Sequence, residues 1–217
     1  MKLSKNTLKI ISNFAGINKG MLFRQGRQLS TIAETKTMVG YAQIEEEIPT
    51  EFAIYDISKF LSILSTFSDP ELKIEEQFVV ISDIDKRKNY KYRRCALNAI
   101  LYPESTDVEF GEPVADFVLS ATDFANITKI TSISKHPEVM FSGDCGDLLI
   151  QAHDEKGGIT DIYSNVMGQT NTTFKTRIKM ESFNTLMAVD YNVSIYENAC
   201  KFESGNLKYF IGAESER

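Results

Sequence analysis

The chain has 217 residues, 42% hydrophobic and 25% charged, with no tryptophan and a formal net charge of −6. That length serves one large domain or two of about 100 residues each. No apolar run reads as a membrane helix, and the start MKLSKNTLKI lacks the apolar core of a signal peptide. Cys95, Cys145 and Cys200 are odd in number and lack metal-ligand spacing. The expectation is an intracellular protein with reduced thiols and no membrane association.

An acidic average disfavours an indiscriminate polyanion binder, but the charge is unevenly placed. Residues 1–33 contain no Asp or Glu, yet carry Lys2, Lys5, Lys9, Lys19, Arg24 and Arg27. Acids gather at Glu45–Glu47, in Asp69–Glu76 and across Glu104–Asp116. A body that is acidic outside can still hold one basic surface.

In chain order, Ser4–Ala15 is predicted as a helix burying Leu8, Ile11, Phe14 and Ala15, with Lys2, Lys5, Lys9 and Ser12 on the other side. Lys19–Glu34 reads as a hairpin punctuated by Gly20 and Gly26. Thr37–Ile44 reads as a strand, and Glu45–Pro49 as a turn that Pro49 keeps from becoming helix. Glu51–Tyr55 is a short strand feeding a helix capped by Asp56. In that helix Ile57, Phe60, Leu61, Leu64 and Phe67 form the apolar stripe, and Lys59, Ser62, Ser65 and Thr66 face away.

Leu72–Glu75, Phe78–Ile81 and Tyr90–Leu97 alternate as antiparallel strands. The tip Asp83–Asn89 opens a tract, Lys86–Arg94, that mixes basic and aromatic residues. Such a tract is either a nucleic-acid footprint or a solvated hairpin face. Leu101–Pro113, with Pro103, Gly111, Pro113 and several acids, is the linker candidate, dividing the chain into domains 1–107 and 108–217.

The second half repeats the order of the first. Val114–Leu119 is a strand. Ser120–Ser134 is a helix burying Phe124, Ile127 and Thr131 while showing Thr122, Asn126 and Lys129. Strands follow at Glu138–Phe141, Leu148–Ala152, Thr160–Tyr163 and Thr172–Lys179, with turns at Gly143–Gly146 and Gly157-Gly158. A last helix, Met180–Val189, buries Phe183, Leu186 and Met187. Asn192–Tyr196, Ala199–Phe202 and Leu207–Gly212 form a closing meander, and the terminal ESER frays. Sparse helices between strand-rich tracts, the second, third and fourth opening on a polar cap followed by phenylalanine and aliphatics, suggest a duplicated unit.

Catalytic chemistry is not legible. His136 and His153 have no plausible nucleophile or metal partner nearby in sequence, and no phosphate loop or dinucleotide fingerprint occurs. The aspartate pairs Asp83/Asp85 and Asp144/Asp147 are too local for acid–base work. No metal and no cofactor are expected. By composition alone a strand-rich assembly protein, or a small nucleic-acid-processing enzyme, would remain open.

The runs MKLSKNTLKIISNFAGINKGM and AIYDISKFLSIL, followed more loosely by SATDFANITKI and IKMESFNTLMAVDYNVSIY, resemble the sliding clamps of T-even-type bacteriophages. Those clamps are processivity factors of the replicative DNA polymerase. Residues 83–113 match that pattern poorly. The resemblance implies an α+β clamp fold: two similar domains of antiparallel sheet with helices on one face, closing into a head-to-tail trimeric ring. It implies no catalysis. Sequence-independent duplex DNA, the phage polymerase and an ATP-dependent clamp loader are the implied partners, in the cytoplasm of the infected bacterial host. Carried over by position, Lys5, Lys9, Lys59 and Lys129 face DNA, with Lys2, Ser12, Asn126 and Lys135 behind them. Leu101, Tyr102, Phe110, Tyr209 and Ile211 become candidates for a partner's apolar peptide. Glu181 departs from this picture by bringing negative charge to the last helix.

Overall fold

The computed structural model of the protein describes residues 1–153 and 161–214. The expected turn at Gly157-Gly158, the start of the expected strand at Thr160, the side chain of His153 and the ending at 215–217 lie outside the described residues. The chain divides into two compact units, Met1–Asp107 and Val108–Arg217.

In the first unit, helix α1 (Lys5–Ala15) is followed by strands β1 (Met21–Phe23), β2 (Gly26–Ile32), β3 (Met38–Ile48) and β4 (Phe52–Ile54). Helix α2 (Ile57–Leu64) then leads to β5 (Glu71–Ile74), β6 (Phe78–Ser82) and β7 (Asn89–Arg93). The first four strands lie in the order β4-β1-β2-β3, and the last three in the order β5-β6-β7, all antiparallel. Met1 serves as a vestigial strand beside β5: its amine donates to Leu72 O, and Leu72 N–H donates back to Met1 O, both at 2.7 Å.

The second unit runs β8 (Ala115–Leu119), α3 (Ala121–Ser134), β9 (Glu138–Gly143), β10 (Asp147–His153), β11 (Tyr163–Gln169) and β12 (Phe174–Lys179). It continues with α4 (Met180–Asn184), β13 (Tyr191–Ile195), β14 (Ala199–Ser204) and β15 (Leu207–Gly212). Its strands pair as β12-β9-β10-β11 and β8-β13-β14-β15. Matching β8 to Met1, this is the topology of the first unit, strand for strand.

The correspondence extends to single hydrogen bonds. The first residue of α2 donates from Ile57 N–H to Lys19 O, and the first residue of α4 from Met180 N–H to Pro137 O. Beyond β7, Arg94 N–H bonds Gln77 O and Cys95 N–H bonds Ala53 O. Beyond β15, Ala213 N–H bonds Asn198 O and Glu214 N–H bonds Arg177 O. Only the first unit fills this place with a long cation: the Arg94 guanidinium donates to the carbonyls of Glu51, Glu75 and Glu76.

Several expected boundaries change. The buried stripe of α1 is Thr7, Ile10, Ile11 and Phe14, whereas Leu8 and Ala15 are half-buried. Thr7 is taken inward because its hydroxyl reaches a carboxylate there. Glu45–Glu47 are not a turn: β3 continues to Ile48, which is buried opposite Gly26. Residues of β11 follow Tyr163 instead of preceding it. The last helix starts without a side-chain cap at Lys179 and stops after five residues, at Asn184, where the chain leaves through tight turns at Thr185 and Leu186. Phe67 lies past the end of α2, and β7 ends at Arg93, short of the expected Leu97.

Aromatic rings fix the helices on the strands. Phe60 of α2 is fully buried and meets Tyr92 of β7 edge-on at 5.3 Å. In the second unit Phe124 of α3 meets Phe183 at 5.0 Å, and Phe183 meets Phe202 of β14 at 6.0 Å. Removing such a ring leaves a cavity as well as lost transfer energy. Phe60→Ala is therefore expected to destabilise the protein by about 3–5 kcal/mol. Urea unfolding followed by circular dichroism checks this, and a loss below about 1 kcal/mol would show that the site collapses or was never packed.

Candidate nucleic-acid interface

With Ile10, Ile11 and Phe14 buried against β2, β3 and α2, the other side of α1 is left to solvent. That side carries Lys5, Asn6, Lys9 and Ser12, all exposed, and the helix has no acidic residue. On α2, burial of Ile57, Phe60 and Leu64 leaves Ser58, Lys59, Ser62, Ser65 and Thr66 exposed. The two helices pack against each other. The first unit therefore brings Lys5, Lys9, Ser12 and Lys59 onto the outward sides of two neighbouring helices. Lys2 lies just before α1 and forms an ion pair with Asp69.

In the second unit α3 buries Phe124, Ile127 and Thr131. Thr122, Asn126, Lys129 and Ser132 are exposed on its other side. Lys135 caps the helix in the left-handed region, φ 58°, and is exposed. Ile133 was not singled out in the sequence, yet at 74% exposure it shares the outward side with Lys129. The one carboxylate of α3, Asp123, is half-buried and accepts from Ser120 Oγ at 2.6 Å. Glu181 of the short α4 is exposed.

The helix starts are held by carboxylates. Glu46 of β3 accepts from Ser4 N–H and from Thr7 Oγ1, the latter at 2.6 Å. Asp56 accepts from Lys59 N–H at 2.9 Å and lies 3.5 Å from Lys19 Nζ. Asp190 accepts from Ala121 N–H at 2.7 Å. Sequence periodicity reveals Asp56 as a cap, but Glu46 and Asp190 act across 39 to 69 residues and leave no local signal.

The basic tract 86–94 is resolved by strand alternation. Tyr92 faces α2 and donates its hydroxyl to Asp56 O at 2.9 Å. Lys91 and Arg93, its neighbours along the strand, therefore point to the opposite face of the β5–β7 sheet. They share that face with Lys73 and Glu75, which pair at 2.9 Å. Arg94 is engaged with three carbonyls. The tract is a mixed-charge sheet face turned away from α2 and does not join the helix lysines.

The partner-peptide candidates are dispersed. Leu101 and Tyr102 are half-buried in the first unit, where Leu101 O accepts from Asn18 Nδ2 at 3.0 Å and the Arg24 guanidinium lies 5.9 Å over the Tyr102 ring. Phe110 of the second unit is 39% exposed and stacks on Tyr196 at 4.9 Å. Tyr209 and Ile211 are fully buried, so their side chains offer no free surface. Alternation placed them on a strand, but only the folded unit shows which strand faces are covered.

Among the described residues, no group of three His, Cys, Asp or Glu is placed to hold a metal, and no helix is long and apolar enough to cross a membrane. All three cysteines are free, and burial pushes the Cys200 thiol far up.

Paired units of one βα-rich topology, each exposing lysine-bearing helix sides, define the DNA-clamp fold. Solved structures share it at low identity. A proliferating cellular nuclear antigen from Entamoeba histolytica superimposes with a TM-score of 0.71, 11% identity and coverage of 96% of this chain and 94% of that one. A putative DNA polymerase III beta subunit from Eubacterium rectale gives 0.73 and 15%, covering 100% of this chain and 65% of that one. The model of the DNA polymerase processivity factor family matches residues 2–92. The sliding clamp of Vibrio phage KVP40 is 30% identical over 226 aligned positions, covering 99% of this chain and 100% of the relative. That of Escherichia phage RB69 is 29% identical, covering 100% and 98%. The chain belongs to the sliding-clamp family.

Burial raises the Glu46 pKa, but hydrogen bonds from Thr7 and Ser4 outweigh it and leave the carboxyl below its usual value. A depressed folded pKa stabilises the protein above the unfolded value of about 4.3, and the contribution is lost as pH falls through the folded value. Glu46→Gln is expected to cost about 1 kcal/mol at neutral pH and to flatten the acid limb of stability against pH. Thermal melts from neutral to acid pH check it; an unchanged acid limb would remove Glu46 from this role.

Proposed function

We propose that this clamp closes as a head-to-tail homotrimer around duplex DNA, tethers a replicative DNA polymerase to it, and catalyses nothing itself. The observation that carries the reading is the charge division on the helices. Across α1 and α2 the outward sides show lysines and short polar residues and no carboxylate, in a chain of net charge −6. Duplex DNA presents one phosphate per about 1.7 Å of axis, so a modest set of lysines can hold it without reading bases. Lys5, Lys9, Lys59 and Lys129 are the primary contacts, with Lys2, Ser12, Asn126 and Lys135 behind them.

Trimer closure has a structural rationale in strand edges. Among the described residues β7 and β11 each end a sheet. An open edge recruits another strand. Pairing β11 of one copy with β7 of the next would make a heterologous contact that can close into a ring. A closed ring needs an ATP-driven loader to open it. Phe110, with Leu101 and Tyr102, is assigned to surfaces that receive a partner's apolar peptide; Tyr209 and Ile211 support Phe110's unit from inside. Kinship with phage clamps supports the cytoplasm of an infected bacterium as the site of this work.

Two measurements test this. Light scattering across a dilution series is expected to give three times 24.5 kDa at high concentration. A monomer at every concentration would leave the fold and remove encirclement, and a larger open assembly would favour a scaffold. Lys5→Glu with Lys9→Glu is expected to shorten retention on DNA and to flatten its salt dependence by about 0.9 in the log–log slope for each phosphate no longer neutralised. Unchanged polymerase stimulation across salt would show that α1 does not face DNA.

A further inference from the structure

The outward sides of α2 and α3 are rich in hydroxyls, and six of those hydroxyls are turned back on the helix backbone, Ser58 and Thr122 being the exposed exceptions. Ser62 Oγ donates to Ser58 O, Ser65 Oγ to Ser62 O and Thr66 Oγ1 to Ile63 O, each at 2.8 Å. On α3, Thr128 Oγ1 donates to Phe124 O at 2.5 Å, Ser132 Oγ to Lys129 O at 2.8 Å and Ser134 Oγ to Ile130 O at 3.0 Å. A hydroxyl has a single proton. Once it is given to a carbonyl three or four residues back, the oxygen shows solvent only lone pairs, which a phosphate does not accept.

A second, independent set of donors is also engaged. The N-terminus of a helix is a ready anion site, because free N–H groups and the helix dipole converge there. Here a protein carboxylate takes one backbone donor at each of three helix starts: Glu46 from Ser4 N–H at α1, Asp56 from Lys59 N–H at α2 and Asp190 from Ala121 N–H at α3. Apart from Ser58, Thr122 and Asn126, lysines remain, and their ammonium groups sit on long flexible stems that exchange between phosphates without a fixed geometry.

We infer that α2 and α3 present DNA with a face from which most hydroxyl donors have been withdrawn, so that lysines attract the duplex without a row of fixed hydroxyls holding it in register. Resting on the proposed function, this inference assigns to the serines and threonines the opposite of a binding role. They keep the face polar, small and non-gripping.

The test compares three variants of the full chain loaded on long duplex DNA, following one-dimensional diffusion and residence time by single-molecule fluorescence. Each variant is first matched to the parent in melting temperature and assembly mass. Ser62→Ala with Ser65→Ala and Ser132→Ala is expected to stay within about twofold of the parent in both readouts, less than the loss of even one hydrogen bond per helix would give. Ser62→Gln with Ser132→Gln adds an outward amide donor to α2 and a second one, beside Asn126, to α3, and is expected to slow diffusion by about threefold or more at low salt. Lys59→Glu separately reports whether these faces meet DNA, and is expected to shorten residence. If Lys59→Glu acts and the alanine variant also shortens residence about fivefold, the hydroxyls bind phosphate and the inference is overturned while the DNA-facing assignment stands. Parent-like diffusion of the glutamine variant overturns it too. If Lys59→Glu has no effect, the DNA-facing assignment fails and the inference falls with it.

Discussion

A helix laid on antiparallel strands has to bury one stripe, and that requirement decides where every other side chain goes. On α1 the buried stripe is Ile10, Ile11 and Phe14; on α2 it is Ile57, Phe60 and Leu64; on α3 it is Phe124 and Ile127. Rotation about the helix axis is then no longer free. Lys5, Lys9, Lys59 and Lys129 are left outward because of what lies beneath, not through any interaction of their own. The proposed DNA-facing side is the complement of the core.

The same requirement explains what sequence reading reached. Phenylalanine and aliphatics at three- and four-residue spacing located α2 and α3, and with them Lys59, Asn126 and Lys129. In α1 the pattern was shifted by one side chain, because Thr7 counts as polar until its hydroxyl finds Glu46 in the third strand. Three consecutive glutamates before Pro49 looked like a turn for the related reason that nothing local shows where a buried Ile48 or a bonded Glu46 will go. Such long-range partners are invisible to periodicity. Strand alternation, by contrast, was legible in the basic hairpin and lacked only one anchor. Once Tyr92 is seen against Phe60, the directions of Lys91 and Arg93 follow. Tyr209 and Ile211 failed as surface candidates because a meander strand can be covered on both faces, which alternation cannot report.

Attraction and grip are separate quantities at the proposed DNA interface. Attraction depends on charge and falls off through the solvent, so lysines on mobile stems supply it over a range of positions. Grip depends on donors fixed in direction. The caps at the helix starts serve stability first, since the free N–H groups of a first turn need acceptors. Using carboxylates as acceptors at α1, α2 and α3 also offsets the local positive end of those three helices. On the proposed function, stability and mobility on a polyanion are served by the same bonds.

The shared topology of the two units lets each be read against the other, since one chain carries both and holds them to matching backbone bonds. Where they agree, as in the bonds from Ile57 to Lys19 and from Met180 to Pro137, the architecture itself is asking for the contact. Where they differ, the fold is indifferent and something else has chosen. Arg94 ties three carbonyls together in one unit, and its counterpart Ala213 ties none by side chain, yet both strands leave their sheets along the same path. The protein thereby carries its own record of which positions are structural and which are open to change.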